Sequence, residues 1–107
     1  MIFTIRHAQE TLELEIDKSQ LNEAEDFFKK MDEDMAKGQR MGPEFVESPT
    51  LYQRSQIAAQ HIVSALDTEN YPLMQMMVGY ILSRHENCTG LVLGDNGDPN
   101  DHQIVMG

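Results

Sequence analysis

The stretch YPLMQMMVGYILSRH, residues 71–85, decides the fold of this chain. It contains no acidic residue, although the protein carries 18 Asp and Glu against 8 Lys and Arg. Pro72 suits the first turn of a helix, where its missing N–H would have no partner. Apolar side chains cover most of the helical circumference, and only Gln75, Gly79 and Ser83 form a narrow polar or small strip. Such a helix is buried, either inside its own fold or against a second copy.

Two more helices are predicted before this one. A regular apolar stripe runs from a cap at Asp17 or Ser19 to about residue 37, with Gly38 as the stop. Ser48 and Pro49 then predict the start of a helix over residues 49–67. Acid-before-base pairs at i, i+4 indicate that the outer face of the first helix is solvated, and these are Glu25–Lys29, Asp26–Lys30 and Glu33–Lys37.

Strand patterns lie at both ends of the chain. Leu12, Leu14 and Ile16 alternate with glutamates, and residues 3–5 offer a shorter partner, which together predict an N-terminal hairpin. Residues 90–93 and 102–106 predict a second short hairpin around the turn-rich GDNGDPND of residues 94–101. The segment 38–49 is predicted as a loop whose apolar residues fold back onto the core. Residues 1–107 are therefore expected to form one acidic α+β domain, with a small antiparallel sheet packed on helices; the alternative is a helical bundle with irregular ends.

Charge and composition restrict the partners of the protein. A net charge of −10 repels nucleic-acid phosphates and anionic membrane surfaces, so direct binding to either is not expected, whereas basic partners are favoured. No apolar run reaches the ~18 residues needed to span a bilayer, and the N-terminus lacks a signal-peptide pattern. The single cysteine, Cys88, excludes an internal disulfide. We expect a cytoplasmic protein.

The sequence offers two weak candidates for a metal site, and neither has a full ligand set. Residues 95–101 fail the EF-hand pattern because Gly97 and Pro99 fall where oxygen ligands are required. His85 and Cys88 are potential zinc ligands, but no second Cys pair completes a four-ligand site. We expect neither a metal nor another cofactor.

No catalytic motif is present in the chain. Cys88 and the four histidines could in principle form a nucleophile–base pair, but no recognisable signature surrounds them. The acidic run Asp32-Glu33-Asp34 is expected on the exposed face of the first helix. The absence of a catalytic motif thus favours a non-enzyme and does not identify a function.

Three functions remain open on the sequence. The first is a non-catalytic protein-interaction module, an adaptor or regulator that self-associates and binds a protein partner not identified by the sequence. Its expected contact surface is the strip on the third helix together with outlying positions on the second, namely Ile57, His61, Gln75, Gly79 and Ser83. The second is an acidic nucleic-acid mimic that binds a basic DNA-binding protein through carboxylates without local basic neighbours, namely Glu10, Glu13, Glu15, Asp95, Asp98 and Asp101. The third is a small ligand-binding domain or enzyme.

Overall fold

A computed structural model describes all residues from 1 to 107 and contains six strands and three α-helices. A 3₁₀ segment, Lys18–Ala24, precedes the first α-helix, and a 3₁₀ turn, Pro99–Asp101, precedes the last strand. The fold is α+β as predicted, with both terminal hairpins present. The elements are β1 (Ile2–His7), β2 (Glu10–Glu15), α1 (Glu25–Met35), β3 (Gln39–Met41), β4 (Glu44–Val46), α2 (Leu51–Asp67), α3 (Tyr71–Arg84), β5 (Cys88–Leu93) and β6 (Gln103–Met106).

The main sheet has four strands in the order β2-β1-β5-β6. Its two hairpins are antiparallel, but β1 and β5 pair in parallel, so the prediction of an antiparallel sheet is wrong at its centre. Parallel neighbours need a crossover connection, and the helices between β2 and β5 provide it. Gly90 lies opposite Thr4 in this parallel pair, and a Cβ at Gly90 would clash with the Thr4 carbonyl oxygen. Glycine is therefore required where the two hairpins join.

Residues 39–46 form a second, two-stranded sheet where a loop was predicted. Gly42 turns the chain between β3 and β4 with a φ of +64°, a conformation that favours glycine. Met41 is buried and Val46 packs on the core, as expected, but Phe45 is 60% exposed and does not fold back. Successive side chains of a strand point to opposite faces of the sheet, so Met41 is turned inward and Phe45 outward.

The predicted helix starts are shifted at two places. The α-helical part of the first helix begins only at Glu25, because Asp17 caps the 3₁₀ segment by accepting the Ser19 N–H at 3.0 Å. The second helix begins after Thr50 instead of Ser48. Thr50 accepts the Gln53 N–H at 3.1 Å, and the Gln53 side chain accepts the Thr50 N–H at 2.9 Å. This reciprocal capping box fixes the start of α2.

The third helix is buried inside its own fold. Val78, Tyr80 and Ile81 have no exposed surface, and each such side chain stabilises the fold by about 1.5–3 kcal/mol. Helix α2 packs on one side of α3. On another side the 3₁₀ segment and α1 approach over the glycine strip, where the ring of Phe28 meets Tyr80 edge-to-face at 5.9 Å between centroids. The chain itself therefore covers the surface that suggested a second copy.

Charged contacts between helices replace the predicted contacts within α1. Asp32 is half-buried and accepts hydrogen bonds from the Tyr80 hydroxyl, from Arg54 Nη1 at 3.0 Å and from Arg84 Nε at 2.9 Å. Arg84 also binds both oxygens of Glu25, at 2.8 and 2.9 Å. This bidentate contact lowers the pKa of Glu25 below its usual value.

The prediction that the charged face of α1 is solvated is thus wrong for Asp32 and Glu25. None of the three predicted i, i+4 pairs is formed, and the one ion pair within this region joins Lys37 to Asp34 at 3.9 Å. A buried guanidinium that binds two carboxylates contributes more to stability than an exposed ion pair, which contributes about 0–1 kcal/mol. The cluster of Glu25, Asp32, Arg54, Tyr80 and Arg84 therefore ties α1 to α2 and α3.

Gly79→Leu should destabilise the protein. A Cβ at Gly79 would lie 3.2 Å from Phe28 Cζ and 3.3 Å from Leu21 Cδ2, and the rest of a leucine side chain would displace both. Overpacking of this kind costs about 1–3 kcal/mol. Urea denaturation should show a lower midpoint, with the same shift at two protein concentrations about twentyfold apart, because both neighbours belong to the same chain.

Gln75→Leu is the matched control. Gln75 lies one turn earlier on the same strip but is exposed, so the leucine side chain would meet solvent and stability should change by less than about 0.5 kcal/mol. A midpoint for Gly79→Leu that is unchanged or raised would contradict the packing of α1 over α3.

Candidate functional site

The five residues predicted for interaction are spread over different environments. His61 and Gln75 are exposed. Gly79 lies beneath Leu21 and Phe28, so the close approach expected at this glycine is made by the same chain. Ser83 is half-buried and donates its hydroxyl proton to the Tyr80 carbonyl at 2.6 Å.

Ile57 was expected on the contact surface, as an outlying position of α2. It is only 6% exposed and belongs to the core. Its polar neighbours explain the difference, because Gln56 and Gln60 also point inward, toward the C-terminal part of the chain. The buried face of α2 is therefore wider than its apolar pattern suggests, and Ile57 is not available on the surface of the monomer.

A buried polar network holds the segment between β5 and β6. His102 is 1% exposed; its Nδ1 accepts the Gly94 N–H at 3.0 Å, and its Nε2 lies 2.7 Å from Gln60 Oε1. Since an amide oxygen only accepts, the ring proton is on Nε2 and the imidazole is neutral. Gln56 donates to the carbonyl of His102 at 3.0 Å. Burial, the largest effect, lowers the pKa of His102.

The two possible nucleophiles are not accessible. Ser55 Oγ lies 3.0 Å from His85 Nε2, but the serine is fully buried. Cys88 is also buried and donates its S–H to the Gly90 carbonyl at 3.4 Å. Burial raises the pKa of this thiol, which keeps it in the unreactive neutral form. Both contacts fix the end of α3 and the start of β5.

The acidic loop before β6 uses its carboxylates for local turns. Asp98 accepts the backbone N–H and the side-chain amide of Asn100, at 2.9 and 3.0 Å, and Asp101 accepts from Asn96 at 3.2 Å. Nowhere in the molecule do three or more His, Cys, Asp or Glu side chains converge closely enough to hold a metal ion.

A surface recess lies between the β1–β2 turn and the α2–α3 turn. This cleft has a volume of about 920 Å³. Ile5 and Leu66 provide apolar surface at its base, and Leu12 and Tyr71 are exposed beside them. The residues that line it are Ile5, His7, Ala8, Gln9, Glu10, Thr11, Leu12, Leu66, Asp67, Glu69, Tyr71 and Asp95.

The charge of this cleft is one-sided. Glu10, Asp67, Glu69 and Asp95 line it, without a lysine or arginine. None of the four carboxylates takes part in a salt bridge. Because they also do not converge on one point as metal ligands would, the arrangement suits an extended positively charged partner better than a single ion.

Two tight turns shape the cleft. Ala8 and Glu69 are the non-glycine residues with positive φ, at +56° and +55°, and both line it. Ala8 belongs to the connection of the N-terminal hairpin. Glu69 follows the end of α2 and precedes Asn70, whose side chain caps α3 by accepting the Leu73 N–H at 3.3 Å. These turns face each other across the cleft with their acidic residues.

A second recess, of about 390 Å³, lies farther along β2. It is bordered by Glu15 at the end of that strand and, on α3, by Gln75, Met76 and Gly79. The cleft and this recess each include residues of β2 and of α3, Leu12 with Tyr71 in the cleft and Glu15 with Gln75 in the recess. Two of the sequence-predicted residues, Gln75 and Gly79, therefore line this second recess.

The sequence pointed to only part of the cleft. Glu10 and Asp95 stood out as acids without basic neighbours, whereas Asp67, Glu69 and Tyr71 did not. The composition of the α2–α3 turn, which carries two acids and no base, could have identified Asp67 and Glu69 as unpaired carboxylates. The two turns are about sixty residues apart in the chain, so no local pattern could place one opposite the other.

The six carboxylates considered for nucleic-acid mimicry are divided between different surfaces. Glu13 and Glu15 pair with Thr4 and Ile2 on the sheet face directed away from the helices. Glu10 and Asp95 line the cleft. Asp98 and Asp101 are engaged in the loop before β6.

Comparison with known protein families, with curated proteins and with solved structures finds no match for this chain. None of its helices combines the length and the apolar character needed to cross a bilayer.

Stability should fall as the pH is lowered from 7.5 to 5.5. The pKa of His102 is lowered in the folded protein, so the unfolded chain takes up a proton first, near the ordinary value of about 6.5. The unfolded state then binds more protons, and the free energy of unfolding decreases as the pH falls. His85, whose pKa burial also lowers, adds to the same slope.

His102→Asn should flatten this dependence. Urea denaturation at a series of pH values gives the slope for both proteins. The variant is expected to be less stable at pH 7.5 and to lose less stability on acidification. An identical slope in both proteins would show that the buried imidazole does not contribute.

Proposed function

We propose that this protein is a non-catalytic interaction module that binds a basic segment of a partner protein at the cleft between the β1–β2 and α2–α3 turns. The observation that carries the proposal is the set of four unpaired carboxylates around that cleft. The exposed apolar surface of Leu12 and the ring of Tyr71, 53% exposed, lie beside these charges. Such a surface accepts both the charged ends and the aliphatic stems of lysine and arginine.

The overall charge supports the same kind of partner. A net charge of −10 attracts a basic segment over a distance of about one Debye length, ~8–10 Å at physiological salt. The cleft then holds this segment by several weak contacts. Each exposed ion pair contributes about 0–1 kcal/mol, so binding should be moderate and sensitive to salt.

Self-association has less support than it had from the sequence. The apolar surface of α3 is covered by α1 and α2, and the cleft repels an acidic second copy. The oligomeric state remains a prediction that light scattering would decide. Nucleic-acid mimicry also has less support, because the candidate carboxylates do not form one row on one face.

A peptide titration tests the proposed site. The probe is a fluorescein-labelled peptide with the sequence Lys-Val-Arg-Val-Lys-Val, and the reference is the same peptide with glutamate at the basic positions. We expect binding of the basic peptide alone, with weakening as sodium chloride is raised. Neutralising the cleft with Asp67→Asn, Glu69→Gln and Asp95→Asn together should raise Kd about tenfold, at about 0.5 kcal/mol per contact.

A second triple variant controls for the net charge. Asp26→Asn, Glu33→Gln and Asp34→Asn remove the same number of charges from exposed positions of α1. Kd for this protein should stay within about twofold of the wild type, because only long-range attraction is reduced. Equal losses in both variants would show that binding follows net charge and would overturn the cleft as the site.

A further inference from the structure

One edge of the main sheet is free. Strand β2 has extensive contacts only with β1, and it forms the outer strand on that side. The opposite edge, β6, is partly occupied, because the Ile104 N–H donates to the Tyr52 hydroxyl at 3.2 Å. An open strand edge presents unpaired backbone N–H and C=O groups and can accept another strand.

The hydrogen bonds of the hairpin show which groups are free. The Met1 ammonium group donates to the Ile16 carbonyl, and the Ile16 N–H donates to the Met1 carbonyl, at 2.8 Å each. In an antiparallel pair such bonded positions alternate with positions whose backbone groups point outward. The residues of β2 that direct their N–H and C=O groups to the free edge are therefore Thr11, Glu13 and Glu15.

The two faces of β2 have different chemistry. Glu13 and Glu15 lie on the face away from the helices, beside their β1 partners. Leu12 and Leu14 lie on the opposite face with Phe3 and Ile5. Leu12 remains 36% exposed and lines the cleft, so the apolar face of β2 continues into the proposed site.

We infer that the partner segment binds β2 as a fifth strand of the sheet. This inference rests on the proposed function and specifies how the basic segment is held. Its alternate residues would be lysine or arginine: two lie opposite Glu13 and Glu15, and the next lies opposite Thr11, which lines the cleft, and extends to the cleft carboxylates. The residues between them would be aliphatic, beside Leu12 and Leu14. Opposite charges across a strand pair stabilise it, and the backbone bonds supply affinity that does not depend on side chains.

A second copy of this chain does not fit the same edge. Pairing β2 with β2 would bring glutamates together on the outer face, and like charges directly opposite destabilise a strand pair. Strand β2, with the sequence ETLELE, carries Glu13 and Glu15 on one face and leucines on the other. A strand that fits it alternates basic and aliphatic residues, so the strand that binds this edge belongs to a basic partner.

Two substitutions at Glu13 separate backbone pairing from charge. Glu13→Gln removes the charge and keeps the N–H, whereas Glu13→Pro removes both. Because this N–H points to solvent, proline should be tolerated in the fold, as it is on edge strands. Circular dichroism and a thermal melt check folding. With the peptide Lys-Val-Arg-Val-Lys-Val, we expect Kd to rise about threefold for Glu13→Gln and about tenfold or more for Glu13→Pro.

Amide hydrogen exchange gives a direct measurement on the wild-type protein. Adding the peptide at saturation should slow exchange at Thr11, Glu13 and Glu15 by about tenfold or more, because their amides become hydrogen-bonded. A peptide of the same composition in the order Lys-Lys-Arg-Val-Val-Val, which cannot present alternating faces, should bind more weakly and protect these amides less.

The outcomes distinguish the two proposals. Equal affinity for both peptides, unchanged exchange at these amides and the same Kd for Glu13→Pro and Glu13→Gln would overturn strand addition, while the loss of binding in the cleft variant would still support the proposed function. Absence of binding by either peptide would overturn both. If Glu13→Pro does not fold, the exchange measurement on the wild type decides.

Discussion

The burial of α3 on nearly all sides is the constraint on which the rest of this structure depends. One layer of sheet and one neighbouring helix leave part of a helix surface exposed, and an apolar surface there would be costly. The chain therefore uses the 3₁₀ segment and α1 to cover the remaining side. Gly79 permits the close approach, and Phe28 fills the space against Tyr80. The interhelical ion cluster fixes α1 in this position, since Asp32 joins Tyr80, Arg54 and Arg84.

This arrangement leaves one side of the sheet less covered. Helix α2 packs on β5 and β6 and also holds the loop before β6 through Gln56 and Gln60. Strand β2, in contrast, makes extensive contacts only with β1. The cleft and the second recess lie on that side. The candidate binding surface is thus a consequence of where the helices must pack to bury α3.

The sequence predicted those features whose cause is local. Alternation in residues 11–16 indicated the first hairpin, and the apolar circumference of residues 71–85 indicated burial. It could not show what covers α3, because Gly79 and Phe28 are brought together by the path of the whole chain. The same limit explains Ile57, which is buried because neighbouring glutamines bind backbone and imidazole groups far away in the sequence.

Predictions of ion pairs between sequence neighbours failed where a residue distant in the sequence forms a stronger contact. Glu25 has Lys29 one turn away, but it binds Arg84, whose planar guanidinium reaches both carboxylate oxygens. The parallel pairing of β1 with β5 had no local signal either, although Gly90 marks the place where their backbones meet. For the candidate site, individual acids were visible in the sequence, but their grouping around one cleft depended on two turns meeting in space.

The glutamates of β2 have two effects on the same edge. An open strand with exposed leucines is prone to pair with other copies of itself, and proteins commonly prevent this with charge on the edge. Glu13 and Glu15 provide that protection here, because two such strands would repel each other. The repulsion acts only against acidic strands, however, and becomes attraction toward a basic one. Specificity requires a feature that disfavours the wrong partner as well as one that favours the right partner. In the proposed binding mode both come from the same carboxylates, so the charge that disfavours pairing of two β2 strands also selects a basic segment.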